Sequence, residues 1–255
     1  MVETSEPMAA TLYAIPGSHP SYAAELMLRR KGIPYRRVDL PQWLHRGMLR
    51  ALRFRGRTVP ALVLDGRRVQ TTGRIARALD AARPDPPLLP SDPELRRRVE
   101  AAEGWADGEF QQVARRLVWW ALRRHGEAVD SYLEGANLLF PRPLVKPVAP
   151  VIIRILAHDH GAGDEAIRAD LAALPGILDR VDGLIAEGVL GGEEPNVADY
   201  QVATTLALLR SQDDLRPAIE SRPAGALLRR LADAYPGRMP PAYPAEWLAP
   251  LRSST

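Results

Sequence analysis

The sequence predicts two unlike halves, an α/β unit of order β-α-β-α-β-β-α followed by an all-helical bundle. Three observations carry that reading. Residues 11–82 alternate short aliphatic runs with helix-period stretches. The segment from Arg83 to Pro93 holds prolines at 84, 86, 87 and 90 before Pro93 itself, the composition of an extended linker. Beyond it, nearly every patterned segment has helical period. The boundaries fall at 9–83 for the first domain, 84–91 for the linker, 92–240 for the helical domain and 241–255 for a tail lying over the surface.

Leu12 to Ile15 has strand character, and Pro16-Gly17 breaks it. From Ser21 to Lys31 the apolar residues Tyr22, Leu26 and Met27 recur at helical intervals. Gly32 ends that helix and Pro34 keeps it from restarting. Tyr35 to Leu40 reads as the second strand, which completes a strand–helix–strand crossover. Leu44 to Phe54 has helical spacing. Val59-Pro60 leads into the run Ala61-Leu62-Val63-Leu64, and Asp65-Gly66 is a two-residue hairpin signal before the return at Arg67 to Gln70. Thr71 and Thr72 can cap a third helix through Ile75 and Leu79. In the second half, Asp92 and Pro93 open a helix expected to run unbroken from Glu94 to about Arg124. Further helices are expected over 129–139, 148–158, 164–187, 197–211 and 224–235. Asn196-Val197-Ala198-Asp199 is a capping-box variant before a helix apolar on nearly all sides.

Bulk properties narrow the function classes. The 255 residues are 46% hydrophobic and 25% charged, with a net charge of +3 from scattered basic clusters. That is ordinary globular composition and argues against nucleic-acid binding. The most apolar stretch, Val148 to Ala157, is too short for a membrane span and contains Pro150 and Arg154. The expectation is a soluble, cytoplasmic protein without a secretory signal. Cysteine is absent, so thiol chemistry here needs a thiol supplied by a ligand.

The polar junction Ser18-His19-Pro20-Ser21 joins the first strand to a helix N-terminus, where free N–H groups and partial positive charge favour a carboxylate or thiolate. Ser21 reads as the cap or a packing residue, and Tyr13 as sheet packing. Trp105, Phe110, Trp119, Trp120, Tyr132 and Phe140 are candidates for an apolar pocket. Adjacent Trp119 and Trp120 point about 100° apart on a helix, so one of them belongs elsewhere. His158-Asp159-His160 reads as a polar loop before Gly161, with no metal expected. The arginine pairs, 115/116 among them, read as solvated faces.

Layout and motifs together resemble the glutathione transferases over about residues 11–235. The Pro16-Gly17-Ser18 turn with its helix, the Lys31-Gly32-Ile33-Pro34-Tyr35 exit, Val59-Pro60 before Asp65-Gly66, and the Asn196–Asp199 cap are similar to that family's motifs in the same order. The resemblance implies a thioredoxin-like N-terminal domain, a cis Val59–Pro60 bond, and a serine-type site in which Ser18 donates a hydrogen bond to the sulfur of glutathione. It implies thiol contacts from Val59, Pro60, Thr71 and Thr72, and from His45 and Arg46 toward the glycyl carboxylate. Its partners would be the small thiol and a hydrophobic electrophile, in a homodimeric transferase of detoxification type. Thr71 stands where the family has an acidic residue, which leaves another low-molecular-weight thiol open as cosubstrate. It also leaves open a non-catalytic binding or assembly protein on the same fold. Ser18 and Ser21 occupy the places of a redox Cys-x-x-Cys pair, so disulfide exchange is excluded.

Overall fold

In the first strand, β1 (Ala10–Ala14), Ala10, Leu12 and Ala14 are buried while Thr11 and Tyr13 are half-buried on the opposite face. The computed structural model describes residues 9–137 and 147–252. β1 pairs in parallel with β2 (Tyr35–Asp39) and antiparallel with β3 (Ala61–Leu64), and β3 pairs antiparallel with β4 (Arg67–Gln70), giving the order β2-β1-β3-β4. β1 begins two residues before the expected Leu12, because Ala10 and Thr11 register against Tyr35 and Arg36. The Asp65-Gly66 turn has positive φ at both residues, as a two-residue hairpin requires, and Val59–Pro60 is cis as expected.

The sheet separates two apolar layers. On one face Leu12 and Leu62 pack with Ala23, Met27 and Leu28 of α1 (His19–Arg30) and with Ile75 and Leu79 of α3 (Thr72–Ala82). On the other, Ile15, Leu40, Phe54 and Ala61 surround Leu49 of the short α2 (His45–Ala51). Tyr13 meets Phe54 edge-to-face at 5.6 Å on that side, the packing role expected of it.

The connection between the halves is tied down at one residue. Lys31, 1% exposed, donates through Nζ to the carbonyls of Arg83 at 2.6 Å, Pro84 at 3.2 Å and Pro86 at 2.6 Å, and pairs with Asp80 at 2.5 Å. Asp80 also accepts from the backbone N–H of Leu88 and Leu89. A buried ammonium is tolerable only with such a full set of acceptors.

In the helical half, α4 (Pro93–Trp105) continues through a π-helical turn (Ala106–Phe110) into α5 (Gln111–Leu122). The expected single helix is therefore one rod with a widened turn. Its i→i+5 geometry brings Trp105 and Phe110 into a parallel stack 5.3 Å apart in the core. Next come α6 (Val129–Tyr132), α7 (Ala149–Asp159) and α8 (Asp164–Ala186). The helix expected over 129–139 ends in turn residues after Tyr132, and its last two residues, like Phe140, lie outside the described residues. α9 (Val197–Arg210) is buried all round, and its capping box is formed in full: Asn196 accepts from Ala198 and Asp199, while Asp199 accepts from Asn196. The sequence pattern missed α10 (Arg216–Glu220); α11 (Pro223–Ala232) follows.

Residues after 240 correct the expectation of a surface tail. Tyr243 is buried, stacks on Trp120 at 5.1 Å and donates to the Leu117 carbonyl; Leu248 is buried, as is Leu251 in α12 (Ala249–Arg252). The apolar faces of these residues outweigh the local proline content. Among the described residues no helix is long and apolar enough to cross a membrane. α1 packs against α9, which sets the Ser18 end of α1 at the junction of the two halves.

Candidate functional site

The Pro16-Gly17-Ser18 turn delivers Ser18 to the N-terminus of α1. Gly17 has φ +70, and a Cβ there would sit 3.1 Å from Cβ of Tyr132, so glycine satisfies both the backbone and the close approach. Tyr235, from the chain just past α11, donates its hydroxyl to the Gly17 carbonyl. The turn is thus gripped by the helical half.

Ser18, not Ser21, is the N-cap. Its Oγ accepts from the Ser21 N–H at 3.4 Å and from the Ser21 hydroxyl at 3.0 Å, while Ser21 itself is buried. A hydroxyl has one proton to give and two lone pairs to receive with. Both acceptor positions are engaged inside the protein, so the proton remains for an acceptor outside it. Ser18 is half-buried and lines a groove of about 370 Å³, within the size range of small-molecule sites.

Val59, His45 and Arg46 line the same groove from the α/β half. Val59 stands just outside the β3 ladder, whose first registered residue is Ala61. His45 donates from Nδ1 to the Gln42 carbonyl at 2.5 Å; burial, partly offset by this bond, pushes its pKa down. Pro60 is buried behind Val59, and its carbonyl accepts from the Thr71 N–H at 3.3 Å. Thr71 is exposed, with φ +74 and ψ 144, a region that non-glycine residues avoid. Thr72 is buried at the first position of α3 and points no exposed hydroxyl at the groove. The structure therefore gathers Ser18, Val59, His45 and Arg46 on one cavity, with Thr71 and Thr72 behind the Val59–Pro60 corner.

The opposite wall is helical. Trp119 and Tyr132 line it, whereas Trp120 turns inward and donates Nε1–H to Asp164 at 2.8 Å, so the two tryptophans do diverge. Val118, Leu122, Ile152 and Leu156 make it apolar. Two residues there were misread in the sequence. His158 and Asp159 belong to α7, and His160, in the turn that follows, is more than a polar loop residue: it stacks on Trp119 at 6.1 Å and lines the groove. Arg115 is no solvated residue: it lies half-buried in the groove wall. A signal existed, since Arg115 falls at helical spacing on the stripe of Val118, Trp119 and Leu122.

His19, the residue after Ser18, is 3% exposed and its Nε2 has no partner. Burial first, then the positive charge of Arg115, holds its pKa well below the usual histidine value, against a small upward pull from Gln111. The ring is neutral at pH 7. No cluster of His, Cys, Asp or Glu able to hold a metal occurs among the described residues.

Residues 12–87 match the family model described as Glutathione S-transferase, N-terminal domain. No curated protein matches the chain in sequence. Among solved structures, the chain is similar to rice GST1 in complex with glutathione (17% identity, 89% of this chain and 87% of that one, TM-score 0.60). It is also similar to a glutathione S-transferase from Rhodospirillum rubrum F11 (21% identity, 94% and 98%, TM-score 0.57). A third is maleylacetoacetate isomerase from Anaeromyxobacter dehalogenans 2CP-1 with bound dicarboxyethyl glutathione and citrate (21%, 98% and 92%, TM-score 0.52). Residues 12–87 therefore match a glutathione S-transferase N-terminal domain, and the chain shares the two-part fold of these structures.

Proposed function

We propose that this protein is a glutathione-transferase-like enzyme in which Ser18 activates the thiol of glutathione, or of a related small thiol, for attack on an electrophile in the groove. Residues 9–83 hold the thiol and residues 92–240 hold the electrophile. The observation that carries the reading is the Ser18 hydroxyl, whose two internal acceptor bonds leave its proton directed to a guest at a helix N-terminus.

The energetics are sufficient. A free thiol of pKa about 8.5 is only a few per cent ionised at neutral pH. Lowering it by about two units requires roughly 2.7 kcal/mol of thiolate stabilisation. A hydrogen bond to a charged acceptor supplies about 1.5–3 kcal/mol and a helix N-terminus about 0.3–1. The thiolate pair then forms a carbon–sulfur bond. In substitution the leaving group departs with its bonding pair; in addition to a conjugated double bond the displaced pair takes a proton from solvent. Val59 beside the cis proline, with His45 and Arg46, supports the thiol's backbone and carboxylate ends.

The test is a conjugation assay with a generic aryl electrophile, in which Ser18→Ala loses about ten- to a hundredfold in rate, the kinetic equivalent of that one bond. Unchanged turnover removes Ser18 from the mechanism. A non-catalytic binding protein is the second reading, and the uncharged Thr71 favours it. Glutathione at a hundred times its Kd adds about 2.7 kcal/mol of stability to a protein that binds it. Absence of any thermal shift favours the second reading or a different thiol. The homodimer belongs to the same proposal, and light scattering of the purified chain tests it.

A further inference from the structure

Arg115 and Arg116 are chain neighbours with opposite circumstances. Arg116 makes two bonds of 2.7 Å to the carboxylate of Asp170. Arg115 has no carboxylate within ion-pair distance among the described residues, although it is half-buried in an apolar wall. Among the described residues its one hydrogen bond runs from Nη2 to Gln111 Oε1 at 2.6 Å. Gln111 is itself buried and anchored by a 3.3 Å bond from Nε2 to Asp107. A guanidinium has five N–H donors, and none of Arg115's nitrogens is both sealed from solvent and unpartnered. The remaining donors are therefore open to solvent, on a residue that lines the groove.

Such a cation in apolar surroundings is incompletely compensated. Burial pushes its pKa down, and the carboxylate that acts against this, Asp107, lies outside ion-pair distance. Its charge reaches both His19, next to Ser18, and His160, stacked on Trp119, and lowers the pKa of each. Arg115 thus sits between the thiol-activating serine and the apolar wall. Of the two carboxylates lining the groove, Asp39 pairs with Arg37 at 2.8 Å, and the charge of Asp159 pulls the pKa of His160 upward.

We propose that Arg115 binds the carboxylate of an apolar acid whose hydrocarbon part lies on Val118, Trp119, Leu122 and Leu156, so that the electrophile is a carboxylate-bearing one. This rests on the proposed thiol chemistry for its catalytic meaning, but the binding stands alone. Arg suits the task because its planar fork meets a carboxylate with two parallel bonds.

The experiment is calorimetric titration of the full chain with 3-phenylpropanoate and with its uncharged counterpart, 3-phenylpropanamide. The native protein should bind the acid at least about tenfold more tightly than the amide, as a charge-assisted pair requires. Arg115→Met should erase that preference while keeping the affinity for the amide, and Arg115→Lys should retain part of it. Equal binding of acid and amide by the native protein overturns the proposal, even if a variant fails to fold. So does Arg115→Met if it weakens both probes alike. A third overturning result is loss of glutathione binding in Arg115→Met with the acid preference intact, because the guanidinium would then serve the thiol. If glutathione binds neither form but the preference is present and lost in Arg115→Met, the carboxylate site is supported and the thiol reading fails.

Discussion

Two helix starts in this molecule use the same device for different ends. At α9, Asn196 and Asp199 satisfy each other's backbone donors, and Asp199 additionally accepts from the Gly191 N–H at 2.7 Å. Both capping side chains are buried, and their bonds are made inside the protein. At α1, Ser18 accepts two bonds and faces a groove with its proton unspent. A cap whose bonding capacity is exhausted holds structure; a cap with one donor left over and an opening beside it can hold a ligand.

Substitutions at the two starts should separate these roles. The largest effect belongs to Asp199→Ala, which strands the buried N–H of Asn196 and the partly buried N–H of Gly191 and should cost about 2–4 kcal/mol. The corresponding fall in Tm, roughly 5–15 °C, is read by thermal unfolding. A loss no larger than that of a surface change would deny α9 its structural role. Ser18→Ala should reverse the pattern, losing about 1 kcal/mol of stability or less while conjugation falls about ten- to a hundredfold. Equal stability losses at both caps would break the contrast.

The next effect is on pH dependence beside the α1 cap. His19 is held neutral when folded and titrates near 6.5 when unfolded, so below that pH the unfolded chain binds more protons. Stability should therefore be complete above about pH 6.5 and fall with acidification, His19 contributing up to about 1.4 kcal/mol per pH unit. Urea midpoints of His19→Gln against the native chain at pH 7 and pH 5 measure that share; a parallel response would contradict it. The smallest effect is at α3, whose N-cap Thr71 makes no side-chain cap bond and carries φ +74. Thr71→Gly should stabilise the fold by about 0.5–1 kcal/mol, strain relief outweighing added chain entropy. Destabilisation would mean that the side chain does more than tolerate its backbone.

Local signals made much of this legible in advance. The capping box, the Asp65-Gly66 turn and the glycine-terminated α1 each specify their geometry within a few residues. Ser18 was legible for the same reason, lying at a strand–helix junction. Arg115 was not, because its surroundings come from α1 and α7, and sequence spacing alone cannot say whether a cation on an apolar stripe meets a carboxylate. The closing segment failed likewise: its prolines indicate loop, while Tyr243 and Trp247 are held by Trp120, more than a hundred residues earlier. The grip of Tyr235 on Gly17 spans 218 residues and has no local signature.

That grip has a consequence for how the protein comes into being. Gly17 and Gly237 flank the Tyr132 ring, and the Tyr235 hydroxyl holds the carbonyl just before Ser18. In a growing chain Ser18 is added long before Tyr235. The clasp that steadies this residue comes 218 positions after Gly17, so the turn before Ser18 is complete only once Tyr235 has been added, and removal of the segment around Tyr235 should loosen it.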